Sequence, residues 1–415
     1  MHVRNPIKFV VAATLTAACV GLAVGGPVRN PVGNPVGNSV GNPVAASVRA
    51  QAGSTGLAAA IDKAATAAIT AGESPGLQVA VIKNGEPVLV KGFGYADLEN
   101  RVRVSNDSVF RVGSVTKQFT AVSLLLLSEE GKLSLQDKLS KYYPAFPRAN
   151  DITLEQMLHH TSGIYSYTSD PGFLKEGMVH RSTDEMVDYI AKLPKTQDFE
   201  PGTDWSYSNS AYFILGGVIE KVSGEPLAKF FKNRLFAPAG MTHSALDDES
   251  EIAPGRARGY AAAAPGRFTN APFISMSIPG AAGSIRSTAS DLAKWNAALY
   301  GGKILKPASL ASMLAPGKLN NGEPSGAAMT KAMKAAGAPD AVRGEYGFGL
   351  FVSSVEGHRK IDHGGGIHGF NSSLSWFPDD HTTVVVLANT IGKDVGAQKV
   401  ADKIERLAIG LPAKH

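Results

Sequence analysis

The hydrophobic positions of this 415-residue chain change period along its length. From Leu57 to Ala71, Ala, Ile and Leu recur at helical spacing, which predicts an amphipathic helix. Two apolar runs follow, Leu77 to Ile82 and Pro87 to Val90, with Asn84-Gly85 between them. Both residues of that dipeptide accept left-handed backbone angles, so it predicts a tight hairpin. At the other end, Phe348 to Val352, Leu374 to Phe377 and Thr382 to Leu387 predict strands, and a helix is expected from about Val395 to Ile409. Residues 130–275 read mostly as helices and loops, and the Ala-, Gly-, Lys- and Pro-rich stretch 315–343 reads as a long mobile loop. Strands at both ends imply an α/β (α+β) fold: an antiparallel sheet built from both termini and flanked by helices, with an inserted mostly helical region. No strand–helix–strand alternation points to a doubly wound parallel sheet.

The first 52 residues follow another pattern. Arg4 and Lys8 precede a weakly polar to apolar run from Phe9 to Val24, short of the roughly 20 residues that span a bilayer. This reads as a signal peptide over 1–26, with a second cleavage point open after Ala52. Residues 27–52 carry a four-residue repeat of the Pro-Val-Gly-Asn type, a linker with no means of building a core. The domain proper is expected over 53–412, exported to a bacterial periplasm or secreted.

Composition changes this picture in two respects. The net charge of +5 is concentrated at the front: Arg4, Lys8, Arg29 and Arg49 stand there without one acid, which leaves the body at +1. A near-neutral body offers no electrostatic case for nucleic acid. Cys19 is the sole cysteine, so no intramolecular disulfide is possible. Leu15 to Cys19 resembles a lipoprotein box with its leucine one place early, and the apolar run continues to Val24, which argues against a lipid anchor. Gly37-Asn38-Ser39-Val40-Gly41 matches a nucleophile elbow, but it lies inside the repeat, without the strand and helix an elbow needs.

Three strings occur once each and in one order: Ser114-Val115-Thr116-Lys117, Tyr207-Ser208-Asn209 and His363-Gly364-Gly365. Ser114 opens an apolar run that ends near Gly131, so it could simply cap a helix. Lys117 would share its face, however, and a lysine on a buried helix must be paired or neutral. A neutral amine can take the serine proton. Tyr207 can relay a proton, and Asn209 offers a donor and an acceptor to a substrate amide. His363, Gly364, Gly365 and Gly366 would bring a strand close to a ligand. A metal at His363 and His368 would need a further ligand, and no H-E-x-x-H is present, so neither metal nor cofactor is expected.

These residues resemble the serine β-lactamase-like superfamily, in the branch holding class C β-lactamases, D-Ala-D-Ala carboxypeptidases, D-aminopeptidases and family VIII esterases. Phe110 to Ser114 resembles its nucleophile entry, Ile152 to Gly163 its LLxHTSG segment, Phe199 to Gly217 the stretch around its tyrosine, and Gly280 to Thr288 its AGGLxST segment. The likeness covers about residues 57–410. It implies Ser114 as acylated nucleophile, Lys117 as its proton partner and Tyr207 as general base or acid. It also implies that Asn209 and the His363–Gly366 strand bind substrate, with an oxyanion hole from the backbone N–H groups of Ser114 and Gly366. His363 stands where the family commonly has lysine, so its charge is expected to depend on pH. The implied substrates are small molecules or peptidoglycan peptides ending in D-amino acids. Esters, β-lactams, and a penicillin-binding protein without turnover are the alternatives.

Overall fold

The structure, a computed structural model, describes residues 43–173, 177–335, 344–393 and 395–413. The stretch read as a signal peptide, Cys19, the elbow-like string and most of the repeat lie outside the described residues. The first helix, α1 (Pro43–Thr70), begins inside the stretch read as linker. Proline at its first position fits, since no intrahelical partner is needed there.

The expected hairpin joins β1 (Gly76–Lys83) to β2 (Glu86–Asp97), with Asn84 at φ 54° and Gly85 at φ 80°. Strand β3 (Val102–Arg103) follows on its outer edge. The remaining strands of the sheet come from the far end: β4 (Gly344–Tyr346), β5 (Phe351–Val355), β6 (His358–Ile367), β7 (Phe370–Phe377) and β8 (Thr382–Ala388). Their order is β3-β2-β1-β8-β7-β6-β5-β4, with every neighbouring pair antiparallel. The two ends of the chain meet at the β1–β8 seam, where Leu77 opposes Ala388 and Lys83 opposes Thr382.

Alternation along this seam sorts residues into two cores. Val79, Val81, Val384 and Val386 face α1 and the last helix, α5 (Ala397–Ala408), packing with Ile61, Val400 and Ile404. Ala80, Val385 and Leu387 face the larger core. That core contains α2 (Thr116–Glu129), α3 (Asn209–Ser223) and α4 (Ala289–Tyr300). Eleven of the fourteen residues of α2 are buried, so it is a central helix, as its apolar sequence predicts.

Two expectations need correction. The stretch 315–343 is not wholly loop. Gly326–Ala335 is a helix, favoured by its four alanines and fixed by fully buried Met329, which packs with Trp205 and Tyr346. Within the mostly helical insertion, Tyr260–Ala264 and Arg267–Asn270 form a hairpin. Four alanines carry no strand signal. Here the Pro265-Gly266 turn and a parallel pairing with Thr390–Ile391 impose the strand. Among the described residues no helix is long and apolar enough to cross a membrane.

Candidate active site

Ser114 lies in a single 3₁₀ turn, Gly113–Val115, that leads into α2. No side chain caps either element, so the Ser114 hydroxyl is not occupied by a helix end. The approach to it is fixed at Val112, whose N–H donates to the Ile285 carbonyl (2.9 Å) and whose carbonyl accepts from Ser372 Oγ (2.7 Å). Strand β6 runs against this point. A Cβ on Gly365 would fall 1.9 Å from the Val112 carbonyl oxygen, and one on Gly113 (φ 52°) would fall 2.9 Å from Gly366 N. Glycine is therefore required for the contact that brings Gly366 beside the serine turn. Gly366 is exposed there, as an oxyanion donor would need to be. A Cβ on Gly364 would strike Gln398.

Lys117 is fully buried. Its Nζ lies 2.8 Å from Asn209 Oδ1, 2.8 Å from the Ala282 carbonyl and 3.2 Å from Ser114 Oγ. It also sits 4.7 Å from the centre of the Tyr207 ring and 5.5 Å from that of Tyr212. Burial, with no carboxylate among these neighbours, holds its pKa well below the usual lysine range. A neutral amine fits the three contacts. Its two N–H groups go to the two carbonyl-type oxygens, and its lone pair remains for the serine proton.

Ser208 caps α3 by accepting from the Ala211 N–H (3.1 Å), which sets Tyr207 just before the helix and Asn209 at its first position. Desolvation raises the phenol pKa of Tyr207, against a smaller opposing effect of the neighbouring Ser114 hydroxyl, so Tyr207 keeps its proton. Asn209 differs from its expected role. Its Oδ1 serves Lys117, and its Nδ2 donates to Thr168 Oγ1 (3.0 Å), leaving one amide proton for a substrate.

His363 departs from expectation in charge. It is buried on β6, with Nε2 3.1 Å from the Tyr346 hydroxyl and Nδ1 2.6 Å from the Gly364 carbonyl. Burial pushes its pKa down to about 3. A neutral ring that donates from Nδ1 and accepts the tyrosine proton at Nε2 satisfies both contacts. Tyr346, Thr168 and the Ala282 carbonyl were not expected from the sequence. Ala282 lies within the Gly280 to Thr288 segment, but its contact with Lys117, like those of Tyr346 and Thr168, arises only through the fold. Among the described residues no group of three or more His, Cys, Asp or Glu side chains could hold a metal.

An antiparallel sheet with a helical insertion, and a serine, buried lysine, tyrosine and asparagine gathered at the head of its central helix, define the serine β-lactamase-like class of hydrolases. The chain belongs to the Beta-lactamase family, whose model matches residues 61–408. A putative penicillin-binding protein of Bacillus subtilis is 32% identical over 330 residues, 79% of this chain and 73% of that protein. Among solved structures, D-amino acid amidase from Ochrobactrum anthropi, complexed with L-phenylalanine amide, is similar with a TM-score of 0.70 and 25% identity. That match covers 85% of this chain and 97% of the amidase. A D-stereospecific amidohydrolase from a Streptomyces species is similar with a TM-score of 0.67 and 28% identity, over 85% and 97% of the two chains.

Proposed function

We propose that the protein hydrolyses amides and peptides of D-amino acids through an acyl-enzyme on Ser114. The observation that carries this reading is the Lys117 environment: a buried amine beside the serine hydroxyl, with two other acceptors and no acid. In the acylation step Ser114 Oγ attacks the substrate carbonyl carbon while its proton passes to Lys117 Nζ. The developing oxyanion lies at the N–H groups of Ser114 and Gly366. Tyr207, still protonated, gives its proton to the leaving amine as the C–N bond breaks, and recovers one from the Lys117 ammonium. Water then attacks the ester on Ser114, with Tyr207 and Lys117 handling the protons in the reverse order.

The neutral His363 supports a substrate whose group beside β6 carries no carboxylate, such as an amide. The likeness to D-amino acid amidase and D-stereospecific amidohydrolase supports the same class. Esters and β-lactams form a second reading, favoured by the likeness to the putative penicillin-binding protein, since the acylation step is the same.

The test is a panel of D- and L-phenylalanine amides, D-Ala-D-Ala peptides, p-nitrophenyl esters and nitrocefin, with mass spectrometry of the trapped protein. An acyl mass on Ser114 and preferred turnover of the D-amide are expected. Preferred turnover of the ester or lactam would replace the amide reading, and no acyl mass from any of them would overturn the mechanism.

A further inference from the structure

His160 belongs to none of the three strings, yet the chain around Tyr207 is tied to it on both sides. The helix Leu154–Leu158 ends with the His160 N–H on the Met157 carbonyl (3.3 Å) and the Thr161 N–H on the Gln156 carbonyl (2.8 Å). This paired closure needs a left-handed residue, usually glycine. The same closure ends α2, where Gly131 (φ 69°) fills that place and Lys132 N–H reaches the Leu127 carbonyl. At the first site the left-handed residue is His160, at φ 62°. Histidine enters that region more readily than most side chains, but still at a cost that glycine avoids. An outlier of this kind invites the question of what the side chain does.

It holds Tyr207. The His160 carbonyl accepts from the Ser206 N–H (3.1 Å), and the Ser208 N–H donates to His160 Nδ1 (3.1 Å). The residues immediately before and after Tyr207 are thus bonded to one histidine. The imidazole also packs on the phenol itself, with ring centres 4.4 Å apart, and Tyr346, Tyr212 and Trp205 close around it at 4.7, 5.0 and 5.8 Å. Burial keeps this ring well below its ordinary pKa. Because its partner is a backbone N–H, Nδ1 is the acceptor nitrogen of the ring.

We infer that His160 is a positioning residue: its Nδ1–Ser208 bond and its ring hold the Tyr207 hydroxyl at Ser114. The inference rests on the acyl-transfer reading above. The test uses the full-length chain and two variants. His160→Gly relieves the backbone and removes both contacts. His160→Asn tolerates the same backbone and returns an acceptor at the place of Nδ1. Stopped-flow acylation by a p-nitrophenyl ester, KM and thermal unfolding are measured for each. His160→Gly is expected to slow acylation roughly 10- to 100-fold, as misplacement by about 1 Å does, with KM little changed. His160→Asn should recover at least about tenfold of that loss. Wild-type acylation in His160→Gly, equal losses in the two variants, a loss confined to KM, or failure of both to fold would each overturn the inference. If the wild type itself forms no acyl-Ser114, the reading of the site fails and the inference with it. If the wild type acylates and the variants match it, only the role of His160 falls.

Discussion

Lys117 is the residue at which stability and chemistry are most directly opposed. In the unfolded chain its amine is charged at neutral pH, and in the folded chain burial drives it toward the neutral form. Between its lowered folded pKa and its ordinary value, the unfolded state holds one more proton, so this group makes stability rise with pH over that window. Below both values the dependence vanishes. Denaturant unfolding from pH 7 to 9 should show a pH slope in the wild type that Lys117→Met lacks, up to roughly a tenfold change in folding constant per pH unit. Equal slopes would mean that the amine is charged in the folded protein. Ser114→Ala should leave the unfolding midpoint nearly unchanged and abolish the acyl mass. Persistence of ester turnover at the wild-type rate would remove Ser114 from the mechanism. For His363, with its pKa near 3, the ring signal in NMR should stay at its neutral position from pH 8 down to 5. A midpoint near 6.5 would restore the pH-dependent charge expected from the sequence.

Among the elements, strand β6 matters most, because it touches the serine turn with backbone and not with side chains. Gly365→Ala would set a methyl carbon 1.9 Å from the Val112 carbonyl oxygen and 2.5 Å from Ser372 Oγ, and both are fixed by a buried bond. The strand must then withdraw. A loss of roughly 100-fold or more in kcat is expected, comparable to losing one oxyanion donor. Near-normal turnover would show that Gly366 is not such a donor. The sequence made this element legible only in part. The run of glycines beside His363 announced a close approach, as Asn84-Gly85 announced the β1–β2 hairpin, because each is a local backbone requirement. The neutrality of His363 was hidden, since it comes from the burial that the assembled sheet imposes on the ring. Likewise Ser114-x-x-Lys117 could be read from helical spacing, whereas the Ala282 carbonyl, 165 residues from Lys117, could not. The helix Gly326–Ala335 was mistaken for loop because its composition is permissive and the burial of Met329 decides the matter.

At the scale of the molecule, we expect the segment up to Val24 to act as a leader and to be removed on export. N-terminal sequencing of protein recovered outside the cytoplasm should begin beyond Val24, and retention of Met1 to Val24 would contradict export by this route. The seam between β1 and β8 bears on how the molecule is made. Leu77 and Ala388 must meet before the sheet is whole, and such distant pairings form late and slowly. On the ribosome, Ser114 emerges hundreds of residues before the strand carrying Gly366. On the acyl-transfer reading, a chain stalled at residue 356 has the proposed nucleophile and its lysine but no β6 to receive the oxyanion. On that reading the order of synthesis would work as a safety catch, with reactivity conferred only when the last strands zip against the first.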